Sequence, residues 1–533
     1  MKTKYILFKR NIILATTLGL FSLVSCTSKY SEWNVNPYEA TDEMMDHDNL
    51  RTGAFFVQME KNIMICGTNR TGDYQITENL AGDVYSGYMG ACNNWNSNSN
   101  NTTYGLLDSW YKDAFNDSYS NIMQPWSSIK SAVETKNPGV YAMATVLKVE
   151  GMSRITDMYG PIPYSKFGSG ALQVVYDSQK DVYYKFFEEL DTAINTLTEL
   201  YNSNNSLTLM SKYDFVYSGK VVNWIKFANT LKLRLALRIS MIDPTKAQTE
   251  AEAAVAHSVG VMTSSSESAV LTQSSDLTFL NPLWEICYSF EDVRMGATID
   301  SYMNGYNDPR IGKYFVTTSD GAYRGIRNGI YISQKSSYSN GSFSDLNSSS
   351  GDGMHWMDAS EAYFLRAEGA VRGWNMNGTA KDLYETGVKT SFAYWGASGS
   401  DAYLADSTSV PAAYTDKVSD GNSSNALGTI TVKWDENASF NEKIERIITQ
   451  KWIATYPDGQ EAWSEFRRTG YPKIFPNIVN YSSGKIDTDI QIRRLPYPST
   501  EYSDNAANVA AGVKLLGGAD NGGTRLWWDI VNK

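Results

Sequence analysis

The sequence predicts a mainly α-helical protein with long irregular loops and a small β-meander. Three observations carry this. Apolar residues recur at spacings of three and four over several long segments. A helix-start signature opens two helices joined by a tight turn near the C-terminus. Between the periodic segments lie stretches rich in Ser, Gly, Asn and Asp, with little periodicity.

From Asp181 to Leu200, Val182, Phe186, Leu190, Ala193 and Leu197 lay one stripe on a helix. From Val221 to Met241, Val221, Trp224, Ala228, Leu231 and Leu235 repeat the pattern, and Asp243-Pro244 closes it. The basic residues of this second helix, Lys226, Lys232, Arg234 and Arg238, read as a solvated or ion-paired face. Residues 314–334 read as a β-meander with turns at Asp320-Gly321 and Asn328-Gly329. Ser439 with Glu442 forms a capping box. The helix it opens runs through Ile444, Ile448 and Trp452 to a Tyr456-Pro457-Asp458-Gly459 turn, and a second helix carries Glu461 to Arg468. Such a helix hairpin is the repeating unit of helical solenoids.

The N-terminus reads as a leader. Lys2, Lys4, Lys9 and Arg10 precede an apolar run from Ile12 to Phe21, and Leu23-Val24-Ser25-Cys26 follows. A basic start, a short apolar core and small residues before a cut mark a secretory signal. The cysteine after the small residue is similar to a bacterial lipobox. Residues 1–25 are thus expected to be a signal peptide, with Cys26 acylated as the mature N-terminus of one domain, 26–533. Losing the leader's four positive charges takes the chain from −11 to −15. That balance disfavours nucleic acid and anionic bilayers as partners and leaves lipid alone to hold the protein at a membrane. Cys66, Cys92 and Cys287 are too few for a disulfide framework. They are expected to be small buried hydrophobes, although an oxidising compartment permits a Cys66–Cys92 bridge.

Catalytic motifs are scarce. The three histidines, His47, His257 and His355, are far apart, and no Cys-x-x-Cys pair, phosphate loop or nucleophile elbow is present. Neither catalytic residues nor a cofactor is expected, and no metal ligands are assigned; a structural Ca²⁺ on a loop is left open. With 58 Asp and Glu, a pair of carboxylates at glycosidase spacing stays possible.

Short motifs in order along the chain then identify a resemblance. Arg154-Ile155-Thr156-Asp157-Met158-Tyr159-Gly160-Pro161-Ile162-Pro163-Tyr164 resembles the helix end and Gly-x-x-Pro-Tyr loop of SusD-like (RagB/SusD) lipoproteins. Trp224 to Arg234 is similar to that family's W-x-K-F-A-N-x-L-K-x-R helix, and Asn307-Asp308-Pro309-Arg310 to its Asp-Pro-Arg turn. Glu361 to Trp374, Lys451-Trp452 through Glu461-Ala462-Trp463 to Tyr471-Pro472, Arg494 to Pro498, and Trp527-Trp528-Asp529 match further signatures. Read as residues, most of these are structural: Trp224, Trp452 and Trp463 lie on apolar stripes, Arg154 and Asp157 are placed to pair one turn apart, and Arg468 suits an ion pair to a neighbouring helix.

The resemblance implies a tetratricopeptide-like scaffold of helix pairs, with loop excursions near 84–104, 260–355 and 396–435. It implies a cell-surface, outer-membrane lipoprotein that binds a nutrient, most often a glycan, without hydrolysing it. It further implies a partner, a SusC-like TonB-dependent barrel. A peptide ligand on the same scaffold, or a helical surface glycosidase, are the alternatives. The chain holds 35 Tyr and 14 Trp, and an aromatic loop suits a sugar face. The expected ligand-binding residues are Tyr85, Tyr88, Asn93, Asn94 and Trp95 in the 84–104 loop, with Trp284, Tyr288 and Arg294 as a second stretch.

Overall fold

The computed structural model describes residues 49–531, so the leader, Cys26 and His47 lie outside the described residues. The unit from Gly53 onward carries the fold.

Helix α1 (Asp108–Ser118) and α2 (Gln124–Val133) lead to α3 (Pro138–Tyr159), which is buried along almost its whole length. Gly160 ends α3 at φ +88°, a left-handed conformation that favours glycine. The 181–200 stripe becomes α4 (Gln179–Ser203), with Ser178 accepting from the Asp181 N–H as its N-cap and the five stripe residues inward. The next stripe becomes α5 (Val221–Arg238). Asp243 does more than close it: its carboxylate accepts from the Lys246 N–H and, with Pro244 at the first turn, opens α6 (Pro244–Ala256). Then come α7 (Ala359–Val371), α8 (Ala380–Tyr394), α9 (Phe440–Ala454) behind the expected capping box, and α10 (Gly459–Thr469). Packing is pairwise, α3 with α4, α5 with α6 and α7 with α8, while α7 also packs on α9. The protein is mainly helical, built of helix pairs as expected.

Strands are few. β1 (Met89–Ala91) pairs antiparallel with β3 (Val293–Met295), and β2 (Ala269–Leu271) with β4 (Met354–Met357). The meander expected over 314–334 does not form. The Asp320-Gly321 turn does close, through Thr318 N–H to Ala322 O at 2.8 Å, but its flanks bond to distant segments rather than to each other. Val316 N–H reaches Asp345 O at 2.9 Å, and Ile326 N–H reaches Met295 O at 2.8 Å. Local alternation could not reveal those partners.

The most consequential feature is charge in the interior. Arg234 grips Glu361 through two bonds of 2.8 and 2.6 Å, and Arg468 grips Glu368 through two of 2.7 and 2.6 Å. Arg238 bonds Asp157, Glu461 and Glu465 together, and Lys451 lies 2.8 Å from Glu461. The expected Arg154–Asp157 pair is replaced. Arg154 donates to Glu78 and Asp458, while Asp157 serves Arg238, Tyr183 and Trp528. Both residues are buried, so each needs a partner from another element, and the cross-links tie α3 to α5 and to the α10 cap. Trp224, Trp452 and Trp463 are core, as their stripes suggest. Cys66, Cys92 and Cys287 are all free and buried; no Cys66–Cys92 bridge forms, and burial pushes the Cys66 thiol up to about 12.

Candidate functional site

The β1–β3 pairing brings the two candidate stretches together. Cys92 N–H bonds Asp292 O at 2.8 Å, and the Asn93 amide donates to the Asp292 carboxylate at 3.0 Å. That carboxylate also accepts from Gln75 at 2.8 Å and Lys335 at 2.7 Å, so it fastens four segments.

Trp95 stands at the head of a strained turn. Asn96, Ser97 and Asn98 have φ of 50°, 54° and 70°, three consecutive non-glycine residues in the left-handed region. Each costs on the order of 1 kcal/mol, somewhat less for Asn, and persists only where surroundings over-determine it. They do so here. Asn98 exchanges two hydrogen bonds with the backbone of Ile332, at 3.0 and 2.9 Å. Asn100 donates to Trp95 O at 2.9 Å, and Asn96 to Ser99 O at 2.7 Å. The asparagines therefore hold the turn. Trp95 itself is half-buried and meets Trp110 of α1 edge to face, with centroids 5.8 Å apart and planes at 84°.

A second ring pair is tied to the same helix through a chain of side chains. Arg70 pairs with Asp117 of α1 at 2.6 Å and with Asp73; Thr71 donates to Glu285; and Trp284 lies beside Tyr288, centroids 6.2 Å apart. Tyr288 is 39% exposed, its phenol anchored on Leu346 O at 2.6 Å. Partly exposed rings fixed at their edges, interleaved with bonded Arg, Asp and Glu side chains, suit stacking on the apolar face of a sugar while polar neighbours meet its hydroxyls.

Other expected residues take different places. Tyr88 is fully buried, its phenol bonded to Trp452 O and Thr455, so its ring has no face open to a ligand. Tyr85 packs 5.1 Å from Trp463 and donates to Asn101 O, which makes it core as well. Arg294 is buried, donating to the carbonyls of Cys287, Val293 and Ser339 with Asp345 at 2.8 Å. Asn93 spends its amide on Asp292 and its carbonyl on the Asn94 N–H, and Asn94 reaches Ser333 O only at 3.5 Å. Of the aromatic members of the set, Tyr85 and Tyr88 are buried, Trp95 and Trp284 are partly exposed and Tyr288 is exposed.

A family model, SusD-like, described as "Susd and RagB outer membrane lipoprotein", matches residues 32–529. The chain belongs to the SusD-like family. Solved structures agree. A chitin-binding SusD homologue from Flavobacterium johnsoniae is 44% identical, with TM-score 0.87, over 90% of this chain and 99% of that one. A SusD homologue from Bacteroides uniformis is 42% identical, with TM-score 0.85 and the same coverage. A SusD-like protein from Bacteroides thetaiotaomicron is 37% identical, with TM-score 0.85 and again 90% and 99% covered. No protein of curated function matches the chain.

In this SusD-like protein, Arg70, Trp110 and Asp117 were not foreseen as part of the face. Their contacts are long-range, and no local spacing announces them. The left-handed turn after Trp95 carried one usable signal, the run Asn96-Ser97-Asn98, since Asn tolerates positive φ best after glycine. Among the described residues no group of three or more His, Cys, Asp or Glu side chains is placed to hold a metal ion, and no helix is long and apolar enough to cross a membrane.

Proposed function

We infer that this protein captures a neutral glycan at the cell surface on the Trp95 face, without cleaving it, and passes it to a TonB-dependent outer-membrane barrel. The observation that carries the reading is the two ring pairs: Trp95, on a turn held by hydrogen bonds, beside Trp110 of α1, and Trp284 beside Tyr288 on the helical turns 282–289. Such a site stacks sugar rings and needs no general base. The likeness to a chitin-binding homologue makes chains of β-linked N-acetylglucosamine the first ligand to try. Acylation at Cys26 would tether the protein to the outer membrane, in keeping with the family's description.

The test is calorimetric titration with N-acetylchitooligosaccharides and a panel of other neutral glycans, alongside Trp95→Ala. Truncating one stacking aromatic costs around 2 kcal/mol, about thirtyfold in affinity. Binding without release of reducing ends, weakened by that order in Trp95→Ala, supports the reading. Absence of binding to every glycan, or capture of peptides instead, refutes it.

A further inference from the structure

A second opening lies beside that face. It is a cavity of about 600 Å³, within the size range of small-molecule sites. Tyr111, Tyr481 and Tyr502 wall it. Tyr111 directly follows Trp110 on α1, and Tyr481 and Tyr502 are 42% and 45% exposed. Leu106, Ile486 and Pro496 add an apolar lining, and Ser99 brings in the end of the Trp95 turn. The turn thus borders both the face and the cavity.

The polar groups are fixed in place. Asp520 accepts from the Tyr502 phenol at 2.8 Å, from Arg494 at 2.5 Å and from the Tyr497 N–H, which lies 3.1 and 3.2 Å from its two oxygens. Asp108 accepts from the Ser499 N–H at 2.9 Å and its hydroxyl at 2.8 Å. A carboxylate holds about four acceptor positions; those of Asp520 are taken, and Asp108 keeps positions for a hydroxyl or amide proton. Side chains already immobilised lose little entropy when a ligand arrives. The charged residues lining the cavity are Asp108, Asp520 and Lys485, and the Arg494 ion pair offsets Asp520, so the set is close to neutral and offers no cluster of cations for a uronate or sulfated sugar. Tyrosine faces, apolar patches and pinned acceptors together fit a neutral pyranose ring.

We propose that this cavity is a second glycan subsite, taking a neutral sugar unit of a chain whose other end lies on the Trp95 face. The proposal rests on the glycan reading of that face. It implies that affinity grows with chain length, because a second contact on one ligand acts at high effective concentration.

Titration of the full protein with N-acetylchitooligosaccharides of two and six units tests it. The parent should bind the longer chain more tightly. Tyr481→Ala should lower affinity for the six-unit chain about tenfold, the equivalent of ~1.4 kcal/mol, and leave the two-unit chain unchanged. Tyr481→Phe, which keeps the ring, should behave as the parent, and melting curves check that each variant is folded. Trp95→Ala should weaken both chains. If Tyr481→Ala and Tyr502→Ala both bind the six-unit chain as the parent does while Trp95→Ala loses it, the subsite is refuted and the face stands. If the parent binds neither chain nor any other neutral glycan, the reading of the face fails and the subsite with it.

Discussion

Replacing Arg238 with Met should cost more stability than any change on the surface. Arg238 is 1% exposed and donates to Asp157 at 3.1 Å, to Glu465 at 2.5 Å and to Glu461. Removing one partner of a buried ion pair costs about 3–5 kcal/mol, since the other charge stays buried. Two of the three carboxylates keep a cation: Glu461 has Lys451 at 2.8 Å, and Glu465 has Arg468 at 2.7 Å. The Asp157 carboxylate keeps two neutral donors, Tyr183 at 2.6 Å and Trp528 at 2.8 Å, and Arg467 stays close by, bonded to the Asp157 carbonyl at 2.5 Å. The expected loss is therefore near the lower bound, about 3 kcal/mol, with Met filling most of the stem's volume. At ~2.1 cal/mol/K per residue, a cooperative unit of this size has an unfolding entropy near ~1 kcal/mol/K, so Tm should fall by about 3 °C. The acid limb adds a second readout. Burial pushes Glu461 up, but Arg238, Lys451 and Arg234 outweigh it and hold it down at about 2. Its folded value lies below the unfolded one of about 4.3, so its contribution is present above that pH and lost as pH falls towards 2. Without Arg238 the loss should begin at higher pH. Urea unfolding with an unchanged m-value, followed from pH 7 to 3, measures both effects. A loss below about 1 kcal/mol with an unmoved acid limb would refute the reasoning.

Three further outcomes follow from the same geometry. Burial raises the Glu150 carboxyl to about 7 despite Arg234 at 3.3 Å, so its stabilising share is complete below pH ~4.3 and lost as pH rises through 7; Glu150→Gln should flatten that slope in melting curves from pH 4 to 8. Cys66, Cys92 and Cys287 should resist thiol reagents in the native protein and react together on denaturation, whereas native labelling would contradict their burial. Cys26→Ala should leave the protein outside the membrane fraction, and unchanged fractionation would remove the lipid anchor.

What could be read in the sequence was what repeats locally. Stripes such as Val182 to Leu197, the Ser439–Glu442 box and the helix pair around Asp458 depend on neighbours within a turn or two, and they fold as read. Pairings across the fold could not be read. Residues 314–334 carry turn chemistry, but their backbone bonds go to Met295 and Asp345. The site was half legible for the same reason. Composition pointed to the 84–104 loop and Trp95, yet it could not separate Trp95, half-exposed over Trp110, from Tyr85 and Tyr88, which plug the core at Trp463 and Trp452. An aromatic ring on a loop and one in a core leave the same trace in composition.

The residues that carry the family resemblance turn inward. Arg154, Trp224, Arg234, Glu361, Lys451, Glu461, Trp463 and Arg468 are all buried; Arg234 and Lys451 bind Glu361 and Glu461 across α5, α7, α9 and α10, while Arg154 of α3 pairs with Glu78 and Asp458 and Arg468 with Glu368 and Glu465. Buried Arg–Glu contacts with two bonds each tolerate little sliding, because a shifted helix would strand a charge in the interior at a cost of several kcal/mol. A signature made of such contacts fixes how the helices meet and leaves the outer loops free. The Trp95 turn is secured separately, by Asn98 on Ile332 and Asn100 on the Trp95 backbone, none of which touches the charge network. An aromatic of the Trp95 turn can therefore change without disturbing the helices, and the motifs that identify the scaffold do not by themselves name a ligand.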